Sequence, residues 1–228
     1  YTRLIKSNLK RDHVKKSIMT IPYNVSSYQL LKYIKENYVR IDQTEWFTFI
    51  DDNNTSKLHY SDFTLISNGL REVLYYKFPK LNLLLNYLEN IARVCTVLQI
   101  PIVWSLPSGL LVKQAYLEEE EVRIKPFFYD KSRYVLKIKN RDNKYNNNKQ
   151  IRAFMPNLVH SLDAASLALL LDTYFNDNLK NIYTVHDCFA VTIKNISSLM
   201  YILKLTYIKI YSDETYLKRL DKGIIENI

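Results

Sequence analysis

Glycine is nearly absent, with three residues in 228. Loops that wrap phosphates rely on glycine, and neither G-x-x-x-x-G-K-[ST] nor G-x-G-x-x-G occurs here. Cysteine is as scarce. Cys95 and Cys188 are the only two, which excludes a disulfide scaffold or a cysteine-built zinc site and points to a reducing compartment. No apolar stretch approaches the roughly 18 to 20 residues of a membrane span, and nothing resembles a signal peptide. The expectation is a soluble protein with no membrane partner. The first residue is Tyr1 rather than methionine, so a fragment or a processed piece of a longer protein is expected.

What is present is positive charge. Thirty-two Lys and Arg face 23 Asp and Glu, a net of +9, on an otherwise ordinary background of 47% apolar and 24% charged residues. A polyanionic partner is the first inference from that balance. The excess is concentrated in two places. Residues 1 to 40 carry nine basic side chains against Asp12 and Glu36, and residues 121 to 152 carry ten against Glu121, Asp130 and Asp142. Two such segments suit two walls of one groove, or simply a solvated basic face. Lysine outnumbers arginine 22 to 10, and Asn, Ile and Tyr are abundant, as an AT-rich organellar or plasmid coding sequence would produce.

Periodicity predicts a mostly helical α+β chain. "SNLKRDHVKKSIMTIPYN" (7 to 24) reads as a helix that must stop or kink near Ile21, because Pro22 lacks a donor and clashes one turn back. "SSYQLLKYIKENY" follows as a second helix. Residues 40 to 66 are polar and mixed, with a turn at "DDNNTS". Leu81, Leu84, Leu88, Ile91, Cys95 and Leu98 mark a long helix with one buried face. "IPIVWSLPSGLLVKQAY" reads as strand, turn, strand. Glu118 to Glu121 suggests a solvated acidic surface, and "VRIKPFF" with "YVLKIKN" forms a hairpin with one basic face. "NRDNKYNNNK" reads as a loop, Pro156 as the start of a helix to about Asp177, residues 182 to 194 as a hairpin, and Ser197 or Ser198 as the cap of a final amphipathic helix.

Three places carry chemistry. Arg11, Lys15, Met19 and Tyr23 recur every fourth residue, a helical stripe able to bind a nucleotide or merely to face solvent. His160 and Asp163 share a helix face, either as a structural hydrogen bond or as a dyad, with no further ligand at zinc-finger spacing. In "TVHDCFAV", His186 and Asp187 fall at a hairpin tip. A carboxylate held there suits magnesium, which takes one or two carboxylates plus phosphate oxygens, or else satisfies its own turn.

Taken together, these segments resemble one family. "RDHVKKSIMTIPYN" is similar to the R-x3-K-x7-Y-G helix of the fingers in single-subunit, phage-type DNA-directed RNA polymerases, which include mitochondrial enzymes. "MPNLVHSLDAASL" resembles that family's P-N-x-V-H-S-x-D-[AG] helix and "VHDCFA" its H-D-[SC]-F hairpin, in the family's order. The resemblance implies the fingers and palm of a right-hand polymerase, carboxy-terminal in the whole enzyme. Residues 1–150 would be fingers-like, with inserted hairpins, and 151–228 palm-like.

It also implies roles. Asp187 would be one of two carboxylates carrying a magnesium pair in the complete enzyme. Arg11 and Lys15 would hold the incoming ribonucleoside triphosphate, with Met19 on the same stripe, and Lys15 would protonate departing pyrophosphate. Tyr23 would sense the ribose 2′-hydroxyl, His160 would meet the minor groove of the nascent duplex, and His186 would contact nucleic acid beside Asp187. The stretch 122–139, with Arg123, Lys125, Lys137 and Lys139, would match the family's DNA-contacting specificity loop. Template DNA and nascent RNA are the implied partners, and a mitochondrion or another organelle the implied location.

The chain departs from the pattern at four points. Asn24 replaces the glycine after the tyrosine, Pro22 precedes the tyrosine, and "KGIIENI" lacks an aromatic ending. Residues 1 to 10 contain no Asp or Glu, and the helix of Asp163 is expected to hold it apart from Asp187, so the second metal-binding aspartate is expected in a missing amino-terminal segment and the chain alone is expected to be inactive. A family-A DNA polymerase shares R-x3-K-x7-Y but typically has glutamate where Cys188 stands. A truncated, non-catalytic nucleic-acid-binding remnant is the other alternative.

Overall fold

The computed structural model describes residues 9–41, 44–49, 57–124, 134–139, 144–177 and 181–226. Within these the chain is mostly helical with small antiparallel sheets, an α+β composition. It divides into two compact units, Tyr1–Asn90 and Ile91–Ile228.

In the first unit, α1 (Arg11–Thr20) runs into a 3-10 turn over Ile21–Tyr23, where Pro22 ends regular helix as its missing N–H requires. α2 (Ser27–Lys35) starts at Ser26, whose hydroxyl accepts from the Gln29 N–H at 3.2 Å. β1 (Tyr38–Arg40), β2 (Trp46–Phe49) and β3 (Leu58–His59) form an antiparallel sheet in that order. Leucine and aromatic side chains close the core. Phe63 meets Tyr38 edge-on at 4.9 Å and Phe47 at 5.2 Å, beside Ile34, Leu58 and Ile66.

Phe63 belongs to α3 (Tyr60–Lys77), a helix absent from the reading of residues 40 to 66 as mixed. Its start is signalled unconventionally, by Asp62 accepting from the His59 N–H at 2.8 Å and His59 Nδ1 accepting from the Ser61 N–H at 3.3 Å. α4 (Pro79–Val97) forms as expected, but its buried stripe is Leu85, Leu88, Ala92 and Cys95, while Leu98 is half exposed. Burial pushes the Cys95 thiol above its ordinary pKa, whereas Cys188 is exposed and both are free.

The second unit holds three hairpins and three helices among the described residues. β4 (Ile102–Ser105) pairs with β5 (Leu111–Gln114), and β6 (Glu119–Ile124) with β7 (Tyr134–Lys139). α5 (Asn147–Asn176) begins nine residues before Pro156, which corrects the reading of that proline as a helix start. The reason lies in the asparagine run. Asn146 caps the helix by accepting from the Lys149 N–H at 2.9 Å. An internal proline costs about 3 kcal/mol, which burial of Phe154, Met155 and Leu158 around it offsets.

α5 is also long and apolar enough to cross a membrane by length and composition, with mean hydropathy 1.3 over its best window. This corrects the expectation that no apolar stretch approaches the length of a membrane span, since the scattered polar residues of α5 leave its average apolar. Its buried side chains Leu170 and Tyr174 pack with Leu199 and Ile202. β8 (Ile182–Val185) and β9 (Cys188–Val191) form the expected hairpin. The chain then makes two helices rather than one, α6 (Ile196–Tyr211) and α7 (Tyr216–Ile225). Asn195, not Ser197 or Ser198, precedes α6, and its amide donates to the Tyr174 hydroxyl at 3.2 Å.

Candidate active site

The β8–β9 hairpin turns in two residues, His186 and Asp187, because Val185 pairs directly with Cys188. His186 has φ +53°, a left-handed backbone that costs a non-glycine residue energy and recurs at functional turns. The strands alternate as the turn requires. Ile182, Phe189 and Val191 pack against the Leu170–Tyr174–Leu199–Ile202 cluster, while Tyr183 and Val185 stay exposed. With one face of the hairpin anchored, the tip residues are carried into the wall of a cavity.

That cavity, about 450 Å³, is lined by His160 and Asp163 of α5, by His186 and Asp187 of the tip, and by Phe189 and Tyr207 among others. Two segments more than twenty residues apart in sequence therefore open onto one space, and Asp163, expected to be held apart from Asp187, lines the same cavity. Among the described residues, no three His, Cys, Asp or Glu side chains converge as a metal-holding group. His160 also lines a second cavity of about 470 Å³, shared with Trp104, Lys113, Gln114, Tyr116 and Asn157.

Other residues of the same α5 stretch hold the β4–β5 hairpin. Trp104 Nε1 donates to Ser161 Oγ at 3.1 Å, and the Asn157 amide donates to Gln114 Oε1 at 2.8 Å and to the Tyr116 hydroxyl at 3.1 Å. Buried Gln114 in turn donates to the side chain of buried Gln150 at 2.9 Å. A fully satisfied buried network of this kind fixes orientation, since any unpaired member would be costly. Asn157 and Ser161 stand inside "PNLVHSLD", yet the sequence carries no signal that their partners are Tyr116, Gln114 and Trp104.

The four-residue stripe lies on the first unit. Arg11, Lys15 and Met19 are exposed on α1, and Tyr23 is half buried in the turn after it. Lys16, one residue along, is committed locally, 2.5 Å from the Glu36 carboxylate and 4.4 Å from the Tyr33 ring centroid. Asn24, in the glycine position of the resembled motif, adopts φ 57°, ψ 39°, so asparagine supplies the left-handed turn. Two distant residues brace it. The Asn24 amide donates to Glu89 Oε1 at 2.8 Å, and Arg71 donates to the Val25 carbonyl at 2.5 Å. Glu89 and Arg71 escaped the sequence reading because they lie 65 and 46 residues away from these partners with no motif of their own.

The basic hairpin carries both signs. Register sets Glu119 opposite Lys139 and Glu121 opposite Lys137, on the face that also holds Arg123. Lys137 Nζ lies 3.6 Å from the Glu121 carboxylate. The acidic run is thus the partner strand of the lysines rather than a separate surface. Lys125 and the side chain of Lys139 lie outside the described residues.

The candidate groups are thus a histidine–aspartate turn over a cavity in the second unit and exposed basic side chains on α1 in the first. The particular family follows from comparison. A profile of the DNA-dependent RNA polymerases matches residues 1–228, and the chain belongs to that family. A probable DNA-directed RNA polymerase of Podospora anserina is 53% identical over 231 residues, covering all of this chain and 24% of the relative. One from Agaricus bitorquis is 35% identical, covering all of this chain and 21% of the relative. A mitochondrial DNA-directed RNA polymerase 1B of Nicotiana tabacum is 25% identical across 99% of this chain and 20% of its own length. The chain thus spans between a fifth and a quarter of the length of these relatives.

Proposed function

We propose that this chain is the fingers-and-palm portion of a single-subunit, phage-type DNA-directed RNA polymerase that extends RNA on a DNA template, in a mitochondrion or another organelle. The division into a fingers-like region, 1–150, and a palm-like region, 151–228, is part of this reading. What chiefly supports it is the single cavity onto which "PNLVHSLD" and "HDC" both open, through His160, Asp163, His186 and Asp187. The relatives' names favour an RNA polymerase over a family-A DNA polymerase, and Cys188 beside Asp187 agrees with that choice.

Arg11 and Lys15 orient the triphosphate. A unit charge pair at about 4 Å and an effective dielectric near 20 interacts by roughly 4 kcal/mol, enough for two adjacent cations to fix a flexible phosphate tail. Lys15 gives a proton to the departing pyrophosphate. Met19 lies along the same stripe beside the nucleotide, and Tyr23 tests for the 2′-hydroxyl. His160 meets the duplex minor groove and His186 the nucleic acid beside the tip, while Arg123, Lys125, Lys137 and Lys139 grip promoter DNA.

Magnesium fits Asp187 in donor chemistry, as one exposed carboxylate on a rigid tip to be complemented by substrate phosphates. A second carboxylate from a polymerase segment outside these residues completes the pair. When bound, the ions lower the pKa of the attacking hydroxyl and stabilise charge on the leaving group.

The test is primer extension on a preformed RNA–DNA scaffold with a polymerase assembled from this chain and the remaining segment. The chain alone should give no product. The assembled enzyme should extend, and Asp187→Asn should slow it roughly a thousandfold, about 4 kcal/mol of transition-state stabilisation. Extension by the chain alone would overturn the divided-site reading. Tyr23→Phe should raise deoxynucleotide use while sparing ribonucleotide turnover, because a site built around a hydroxyl rejects analogues lacking it. Unchanged discrimination would remove Tyr23 from that role.

A further inference from the structure

We infer that the outer face of α6 is a docking surface for the part of the polymerase chain that lies outside these 228 residues. The helix is rich in apolar side chains, with Lys204 and Lys209 its only charged residues in sixteen. Its inner stripe, Leu199, Ile202, Thr206 and Ile210, is buried. The opposite half is not. Ile196, Met200, Tyr207 and Tyr211, spaced by four, seven and four, form one exposed stripe. Tyr201 and Ile208 add a second, at 64% and 59% exposure. Contiguous exposed apolar surface of this kind marks an interaction site.

Three observations indicate the occupant. About three quarters of the Podospora anserina relative's length lies beyond the stretch that this chain matches, so ample polymerase chain exists to cover the face. The face is continuous with the candidate site, since Tyr207 stacks on Tyr211 at 5.7 Å and also lines the cavity of His160 and Asp187. Whatever covers α6 therefore borders that cavity. Lys204 falls between the two stripes at about 100° per residue, so the covering segment should be apolar with a carboxylate opposite it. The inference rests on membership of the polymerase family and not on the catalytic roles proposed for individual residues.

Hydroxyl-radical footprinting tests it. Oxidation of Met200, Tyr201 and Tyr211 is compared between the isolated chain and a chimera in which this chain replaces the matching quarter of the Podospora anserina polymerase. Docking predicts that oxidation of Met200 falls about fivefold or more in the folded chimera, and that dilution leaves the isolated chain's oxidation unchanged. Equal oxidation in both proteins overturns the proposal. So does protection of the isolated chain that deepens with its concentration, which would mean a second copy, or protection that anionic phosphatidylserine–phosphatidylcholine vesicles alone confer. The double variant Met200→Lys, Ile208→Lys should leave the isolated chain's melting transition in place and lower the chimera's. Unfolding of the isolated variant would show that the face is already used inside this chain and would also overturn the proposal. A chimera that protects Met200 without making RNA would uphold docking while rejecting the polymerase reading.

Discussion

Two hairpins of the same unit are built to opposite specifications. β8–β9 turns in two residues and packs Ile182, Phe189 and Val191 into a core, so the direction of its tip is set by many contacts. β6–β7 is longer, every residue of β6 is exposed, and the described side chains of β7 are exposed too. An isolated two-stranded ribbon is marginal on its own, whereas a ribbon packed on helices is held. Chemistry that needs a carboxylate placed within a fraction of an ångström belongs on the first kind of hairpin. The second kind leaves its exposed side chains room to adjust.

Stability breaks the comparison most directly. Phe189→Ala should destabilise the chain by roughly 2–4 kcal/mol, as loss of a packed aromatic does, whereas Leu136→Ala on the exposed ribbon should cost under about 0.5 kcal/mol. Urea denaturation of both variants decides it, and equal losses would mean that β6–β7 is packed after all. A smaller effect separates the ribbon's charges. Because Glu121 occupies Lys137, Glu121→Gln should strengthen binding to duplex DNA. Lys137→Ala with Lys139→Ala should flatten the salt dependence by up to about two phosphates. Titrations at several salt concentrations measure both, and an unchanged slope would leave the ribbon a merely solvated surface.

The smallest effect sets the acid limit of such measurements. The Thr215 side chain, then Arg219 and the Thr215 N–H, hold Asp213 at about 2, below its ordinary 3.8. A folded pKa below the unfolded value means that the contribution is fully present above pH 4 or so and is lost as pH falls towards 2. Asp213→Asn should flatten the chain's melting temperature between those limits and change little near neutrality. A wild-type slope in the variant would assign the acid sensitivity to other carboxylates.

Much of this was legible in one dimension because it depends on neighbours along the chain. Pro22 ends α1 by lacking a donor, and Asn24 takes the left-handed turn that its residue type tolerates. The alternation of "IYTV" and "CFAV" puts His186 and Asp187 at a tip. The acidic run at 118 to 121 resisted the same treatment, because a charge run looks alike on a free surface and on a strand facing lysines. Pro156 misled for a related reason. Proline is tolerated at a helix start and costly inside one, and only the burial around it shows that the cost is met.

By itself, then, the sequence determined the order of motifs, the family they belong to, the helix stops and the hairpin turn, all consequences of local backbone chemistry and residue type. Tertiary structure alone decided that His160 and Asp163 share a cavity with Asp187, that Glu89 and Arg71 brace the turn after Tyr23, and that α6 leaves an apolar half uncovered. Those outcomes depend on which distant side chains meet in space. That is settled by the competition of all apolar surfaces for burial and all buried polar groups for partners, and no single stretch of chain encodes it.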